Sequence, residues 1–126
     1  MLEFDPAGLT IADLIGIPYK DKGRSLNGLD CYGLSIAAVL ILTGKTLKDV
    51  IYENHAADLS NLLAPTLNVK KTTEIKRGNL IEMTFKNELH IGVIINNRQF
   101  IHSTYDDGVR INNLRNAPIL NIYEVL

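Results

Sequence analysis

The sequence predicts an α+β domain, with helices first and a run of antiparallel strands after them. Two observations carry this. Up to about Ala64 the apolar residues recur at helical spacing, and from Leu67 onward they alternate or fall in short β-rich blocks. The chain is 126 residues long, 46% hydrophobic and 21% charged, which predicts one globular domain over 1–126 and excludes a disordered or low-complexity chain. Thirteen Lys and Arg against 14 Asp and Glu leave a net charge of -1, so there is no basic field to gather nucleic acid. No apolar run reaches the roughly 18 residues of a membrane span. Met1-Leu2-Glu3-Phe4-Asp5 lacks the basic start and apolar core of a signal peptide, which predicts a soluble protein without a secretion signal of its own.

In chain order, Asp5-Pro6 places a cap and a first-turn proline at the start of a short helix with Leu9, Ile11, Leu14 and Ile15 inward; Gly16 and Pro18 end it. Four glycines or prolines, Gly16, Pro18, Gly23 and Gly28, among Lys20, Asp21, Lys22 and Arg24, read as an irregular polar loop. Asp30 to Thr43 is the most apolar stretch, capped by Asp30 and stopped by Gly44, and predicts a buried central helix. Thr46-Leu47-Lys48-Asp49 resembles a capping signal for a third helix reaching about Leu63, and Pro65 closes the helical half. Strands are predicted at Leu67–Lys71, Leu80–Phe85, Leu89–Asn96, Gln99–Thr104, Gly108–Ile111 and Ile119–Val125.

The single cysteine, Cys31, cannot form an internal disulfide and follows the helix cap directly. Unpaired N–H groups and the positive dipole end gather there, which favours a thiolate and offers donors to an oxyanion; a buried inert cysteine is the competing reading. A nucleophile needs a base, and three histidines are available. His55 falls in the third helix, where packing or solvation accounts for it. His90 and His102 lie on consecutive strands. A three-residue loop at Asn96-Asn97-Arg98 pairs Ile95 with Gln99 and Gly92 with His102, which puts both imidazoles on one face, their Cβ atoms roughly 7 Å apart. Two histidines beside a helix-capping cysteine suit a nucleophile, a base and an orienter. A zinc site ranks below this, because no close-spaced ligand pair such as CxxC or HxxxH is present, and the residues call for no cofactor.

Gly16-Ile17-Pro18-Tyr19, Gly23-Arg24-Ser25 and Gly28-Leu29-Asp30-Cys31-Tyr32-Gly33-Leu34 together resemble the nucleophile region of the NlpC family of papain-like cysteine peptidases. Leu89-His90-Ile91-Gly92-Val93-Ile94 is similar to that family's catalytic-histidine strand, Phe100-Ile101-His102-Ser103 to the strand bearing its third polar residue, and Glu74 to Leu80 to the segment entering the sheet. The four blocks keep the family's order from Gly16 to Val109. The resemblance implies a papain-like fold and a cell-wall endopeptidase that cuts amide bonds in peptidoglycan stem peptides beside a γ-linked D-glutamate. It makes Cys31 the nucleophile, His90 the general base and His102 its orienter. Tyr19 becomes the tyrosine whose hydroxyl faces the active site, and Asp30 an acidic residue that helps to recognise the peptide's amine.

Two positions depart from the usual pattern: Tyr32 stands where many members have serine, and could narrow the cleft, and Asn79 replaces an aspartate of the entry turn. Tyr32 together with Gly23-Arg24 resembles the phage-encoded subset associated with tail tips, which implies tail proteins as partners and action at the wall after delivery in the virion. Alternatives left open are a tail or wall-binding module of the same fold without activity, and an amidase effector acting on other amides.

Overall fold

The computed structural model describes residues 1–50, 52 and 68–126. His55 and the part of the predicted third helix beyond Val50, apart from Tyr52, lie outside the described residues. The first described helix is α1 (Ile11–Leu14), preceded by a 3-10 turn over Pro6–Gly8. Asp5 caps that turn through Ala7 N, and a fresh capping box between Thr10 and Asp13 starts α1, so the one short helix expected here is two pieces. Leu14 is buried, whereas Ile15, expected inward, is exposed. The loop that follows is not wholly irregular: β1 (Arg24–Ser25) and β2 (Gly28–Leu29) form a small hairpin.

The central helix α2 (Cys31–Thr43) has the predicted bounds. Asp30 Oδ1 accepts from Gly33 N at 2.7 Å, and Gly44, at φ +74°, closes the other end by donating its N–H to Leu40 O. Cys31 through Val39 are all buried, as apolar residues on every side of a helix require. Tyr32 turns into this core, wholly enclosed, and its hydroxyl donates to Lys48 O. It therefore does not narrow any cleft. Thr46–Val50 form no helix, because their polar groups are taken from afar: Lys48 N–H by Asn68 Oδ1, Lys48 O by Tyr32, and the Asp49 carboxylate by Arg24.

The strands β3 (Val69–Thr72), β4 (Leu80–Phe85), β5 (Glu88–Ile94), β6 (Gln99–Thr104), β7 (Gly108–Asn113) and β8 (Ile119–Val125) make one antiparallel sheet. Its order is β3-β8-β4-β5-β6-β7, so a meander of four strands is extended by β8, which returns to sit between β3 and β4. Side chains alternate across the sheet. Leu80, Ile91, Val93, Ile101, Val109, Tyr123 and Val125 join the core cluster of α2, while Ile81, Met83, Ile94 and Phe100 form a second cluster with Ile119 and Ile122 on the other face. Helices packed on an antiparallel sheet give the α+β, papain-like arrangement, with α2 lying against β5 and β6.

Candidate active site

Four segments build the site. The first is the start of α2. Cys31 is its first residue, 3% exposed, and sits where a loop is pressed against the helix: a Cβ on Gly33 would come within 2.4 Å of Gly23 O and 2.9 Å of Arg24 Nη1, so only glycine permits that approach. Asp30, entirely enclosed, accepts from Gly33 N, from Lys22 N at 3.2 Å, from Arg24 Nη1 at 2.9 Å and from the Tyr52 hydroxyl. Arg24 continues to Asp49 through Nε and Nη2, each at 3.1 Å. Burial alone would raise the Asp49 carboxyl, but the Arg24 guanidinium holds it below the ordinary carboxylate range. Asp30 therefore spends its oxygens on the cap and the loop, and it does not line the pocket described below.

The second and third segments are β5 and β6. Val93 pairs with Ile101 and Ile94 with Phe100, and Ile95 N–H donates to Gln99 O at 2.9 Å. This is the register that a three-residue loop predicts, with Gly92 opposite His102. A Cβ at Gly92 would meet Phe100, Ile101 O and the His102 Cβ at 3.0 to 3.4 Å, so the absent side chain makes the room in which the imidazoles meet. His90 Nε2 lies 2.8 Å from His102 Nδ1. His102 Nε2 in turn lies 2.6 Å from Asn112 Oδ1, and the rings of Phe85 and Phe100 pack beside the pair. Burial pushes His90 down to about 3, with His102 adding to the effect. His102 is lowered as well, chiefly by burial; the hydrogen bond to Asn112 opposes this and Arg110 reinforces it.

The fourth segment is the end of the sheet where β4 turns into β5 and β6 into β7. There Cys31 and His90 line one pocket of about 190 Å³, together with Tyr19, Phe85, Lys86, Ser103, Thr104 and Tyr105. Lys86 and Asn87 take left-handed conformations (φ +51° and +65°) that close the β4–β5 hairpin in two residues, and the Lys86 ammonium pairs with Asp106 on the neighbouring turn. Ser103 Oγ donates to Leu29 O at 2.7 Å and ties β6 to the strand just before Cys31. The Tyr19 ring stacks on that of Tyr105 at 4.3 Å, and its hydroxyl, kept protonated chiefly by burial, donates to Asp21 Oδ1 at 3.2 Å.

One expectation reverses here. The helix N-terminus was expected to favour a thiolate, yet burial pushes the Cys31 thiol up to about 12 and the Asp30 carboxylate adds to this; the N–H groups of Ile91 and of Cys31 itself pull the other way without cancelling it. Desolvation and an adjacent anion outweigh one helix terminus. Burial thus disfavours the charged form of both the thiol and the imidazole. Among the described residues no group of three or more His, Cys, Asp and Glu is placed to hold a metal ion.

The structure thus brings Cys31, His90 and Tyr19 to one pocket, sets His102 behind His90, and leaves Asp30 outside. Sequence reasoning missed Asn112. In β6–β7, His102 pairs with Arg110 and Phe100 with Asn112, so the even-sum register that aligned the two histidines also brings Asn112 to their face. Carrying the predicted strand one residue past Ile111 would have found it.

Residues 16–123 match the NlpC/P60 family. The chain belongs to that family, one of cysteine peptidases and peptidoglycan hydrolases. Its fold is similar to the crystal structure of the NlpC/p60 domain of the peptidoglycan hydrolase SagA, with a TM-score of 0.64 and 19% identity over 91% of this chain and 92% of that one. No curated protein matches the chain. The family span begins at Gly16, so the 3-10 turn and α1 precede it, and the NlpC/P60 segment carries the whole described pocket.

Proposed function

We propose that this NlpC/P60 domain hydrolyses amide bonds in peptidoglycan stem peptides, of the γ-D-glutamyl type, with Cys31 as nucleophile, His90 as general base and His102 as its orienter. The observation that carries the reading is that Cys31 and His90 line one pocket while His102 occupies His90 Nε2, which leaves Nδ1, the ring nitrogen nearer the main chain, unspent. The N–H of Ile91, the residue next to His90, favours the charged form of the Cys31 thiol. As the thiol attacks the amide carbon its proton passes to His90 Nδ1, so attack and proton transfer are coupled and no thiolate accumulates beforehand. The N–H at the start of α2 serves the oxyanion, joined by the Tyr19 hydroxyl when it turns from Asp21. His90 returns the proton to the leaving amine, and water, activated by the same nitrogen, hydrolyses the thioester.

Purified peptidoglycan incubated with the protein and analysed by mass spectrometry should show stem peptides shortened at one bond, and Cys31→Ala should abolish the products while circular dichroism stays unchanged. Equal cleavage by the two proteins would sink the assignment. Delivery by a phage tail is part of the same proposal and rests on the resemblance of Gly23-Arg24 and Tyr32 to the tail-tip subset. Its test is whether an antibody to the domain labels the tails of particles released from the producing cell; unlabelled tails would end that reading.

A further inference from the structure

The candidate base is held by a chain of three side chains on three adjacent strands, and the chain has a direction. Asn112 presents its carbonyl oxygen, an acceptor only, to His102 Nε2 at 2.6 Å, so that nitrogen carries the hydrogen. A neutral imidazole has one N–H, so His102 Nδ1 is bare and must accept from His90 Nε2 at 2.8 Å. His90 in turn has its single hydrogen on Nε2. Its Nδ1 is left with a lone pair, and His90 lines the same pocket as Cys31. Turning the Asn112 amide over would reverse every donor along the chain and put a hydrogen on His90 Nδ1, where it could take no proton from a thiol.

We propose that Asn112 is a positioning residue that fixes the tautomers of His102 and His90 and so keeps His90 Nδ1 unprotonated toward Cys31. The inference rests on the reading of Cys31 and His90 as nucleophile and base, but its spectroscopic test does not. Both rings are buried, at 2% exposure for His102 and 8% for His90, so the side chains of the chain set one another's donors and acceptors. Arg110, directly across from His102 in register, opposes a second proton on that ring and keeps the one-hydrogen count intact. Phe85 and Phe100, whose rings pack on His102, offer it no hydrogen-bond partner.

Imidazole ¹⁵N chemical shifts distinguish a protonated from a bare ring nitrogen. In protein labelled with ¹⁵N-histidine at pH 7.5, Nε2 of both His90 and His102 should be protonated and both Nδ1 bare. Asn112→Ala should mix the tautomers and lower kcat for stem-peptide cleavage by about 10–100-fold, the scale seen when a supporting partner of an active group is lost, with KM within about twofold. Asn112→Asp, which keeps an acceptor in place, should restore the Nε2–H tautomers and most of kcat. A bare His90 Nε2 in the wild-type spectrum, or unchanged tautomers and kcat in folded Asn112→Ala, would overturn the proposal. An inactive wild type with the stated tautomers would instead count against the proposed function alone. Should Asn112→Ala not fold, the wild-type spectrum and Asn112→Asp still decide.

Discussion

Cys31 stands between two polar networks of opposite construction. On the side of the loop, Arg24, Asp30, Asp49 and Tyr52 form a charged cluster in which each carboxylate meets a guanidinium and each remaining oxygen an N–H or hydroxyl. On the side of the sheet, His90, His102 and Asn112 form a neutral chain that ends on one uncommitted ring nitrogen. The first is saturated and holds the backbone; the second is left open at one end, on a residue that lines the pocket with the cysteine. Chemistry needs an unspent lone pair, and only the second network has one. Structure needs none, which is why Asp30, beside the cysteine in sequence, serves as scaffold while His90, 59 positions away, faces the pocket.

Breaking the charged network should cost the most stability. Asp30→Ala removes the α2 cap and one of the two carboxylates on Arg24, a buried pair whose rupture costs about 3–5 kcal/mol, cap included. Urea unfolding monitored by circular dichroism measures this, and a loss below about 1 kcal/mol would show that Asp49 alone suffices for Arg24. Asp30→Asn keeps the cap oxygen and should lose less. In that milder variant the KM for stem peptide separates the two roles considered for Asp30. A scaffold residue leaves KM unchanged, whereas a residue that binds the peptide's amine raises it.

The neutral network should betray itself by acid sensitivity. A histidine whose folded pKa is lowered refuses a proton that the unfolded chain accepts, so unfolding is favoured once pH falls below the unfolded value. For His90 the window runs from about 6.5 down to about 3, with stability complete above it and lost on acidification, by an amount on the order of a few kcal/mol. His102 shifts in the same direction. The Asp49 carboxyl, also lowered, contributes only in the more acidic carboxylate range, so the loss between pH 6.5 and 5 belongs to the histidines. Thermal midpoints across this range should fall with pH in the wild type and fall less steeply in His90→Gln, where His102 remains. Matching slopes would place the sensitivity elsewhere.

These contrasts also mark what the sequence could reveal. Period and punctuation locate α2, β4, β6 and β8 at their observed ends, because each is bounded by a cap, a glycine or a tight turn. Loop parity gives the His90–His102 register, since a local turn dictates it. The same parity would have reached Asn112. Non-local choices were not legible: β8 slots between β3 and β4 although alternation says nothing about partner order, and Thr46–Val50 abandon a helix because Tyr32, Arg24 and Asn68 claim their polar groups. The thiol's environment was misread for a related reason. A helix terminus is visible in one segment of sequence, but the burial that outweighs it comes from the sheet and loop packed around Cys31.

The smallest effect concerns Ser103, which joins the two sides. Its hydroxyl donates to Leu29 O, two residues before Cys31, from the strand that carries His102. It neither titrates nor belongs to either network, yet it links the strand of one to the loop of the other. Ser103→Ala leaves a buried carbonyl without its donor, at a cost of about 1–3 kcal/mol. Were the cysteine and the imidazole held in place by their own networks alone, kcat would be unaffected once the variant is folded. If the strand-to-loop tie sets their spacing, kcat should fall severalfold with KM unchanged, since a misplacement of less than an ångström acts on the transition state more than on binding. Steady-state kinetics on a purified muropeptide at a temperature where the variant is fully folded separate these outcomes. A drop in kcat would show that the charged scaffold reaches the open lone pair through one serine hydroxyl.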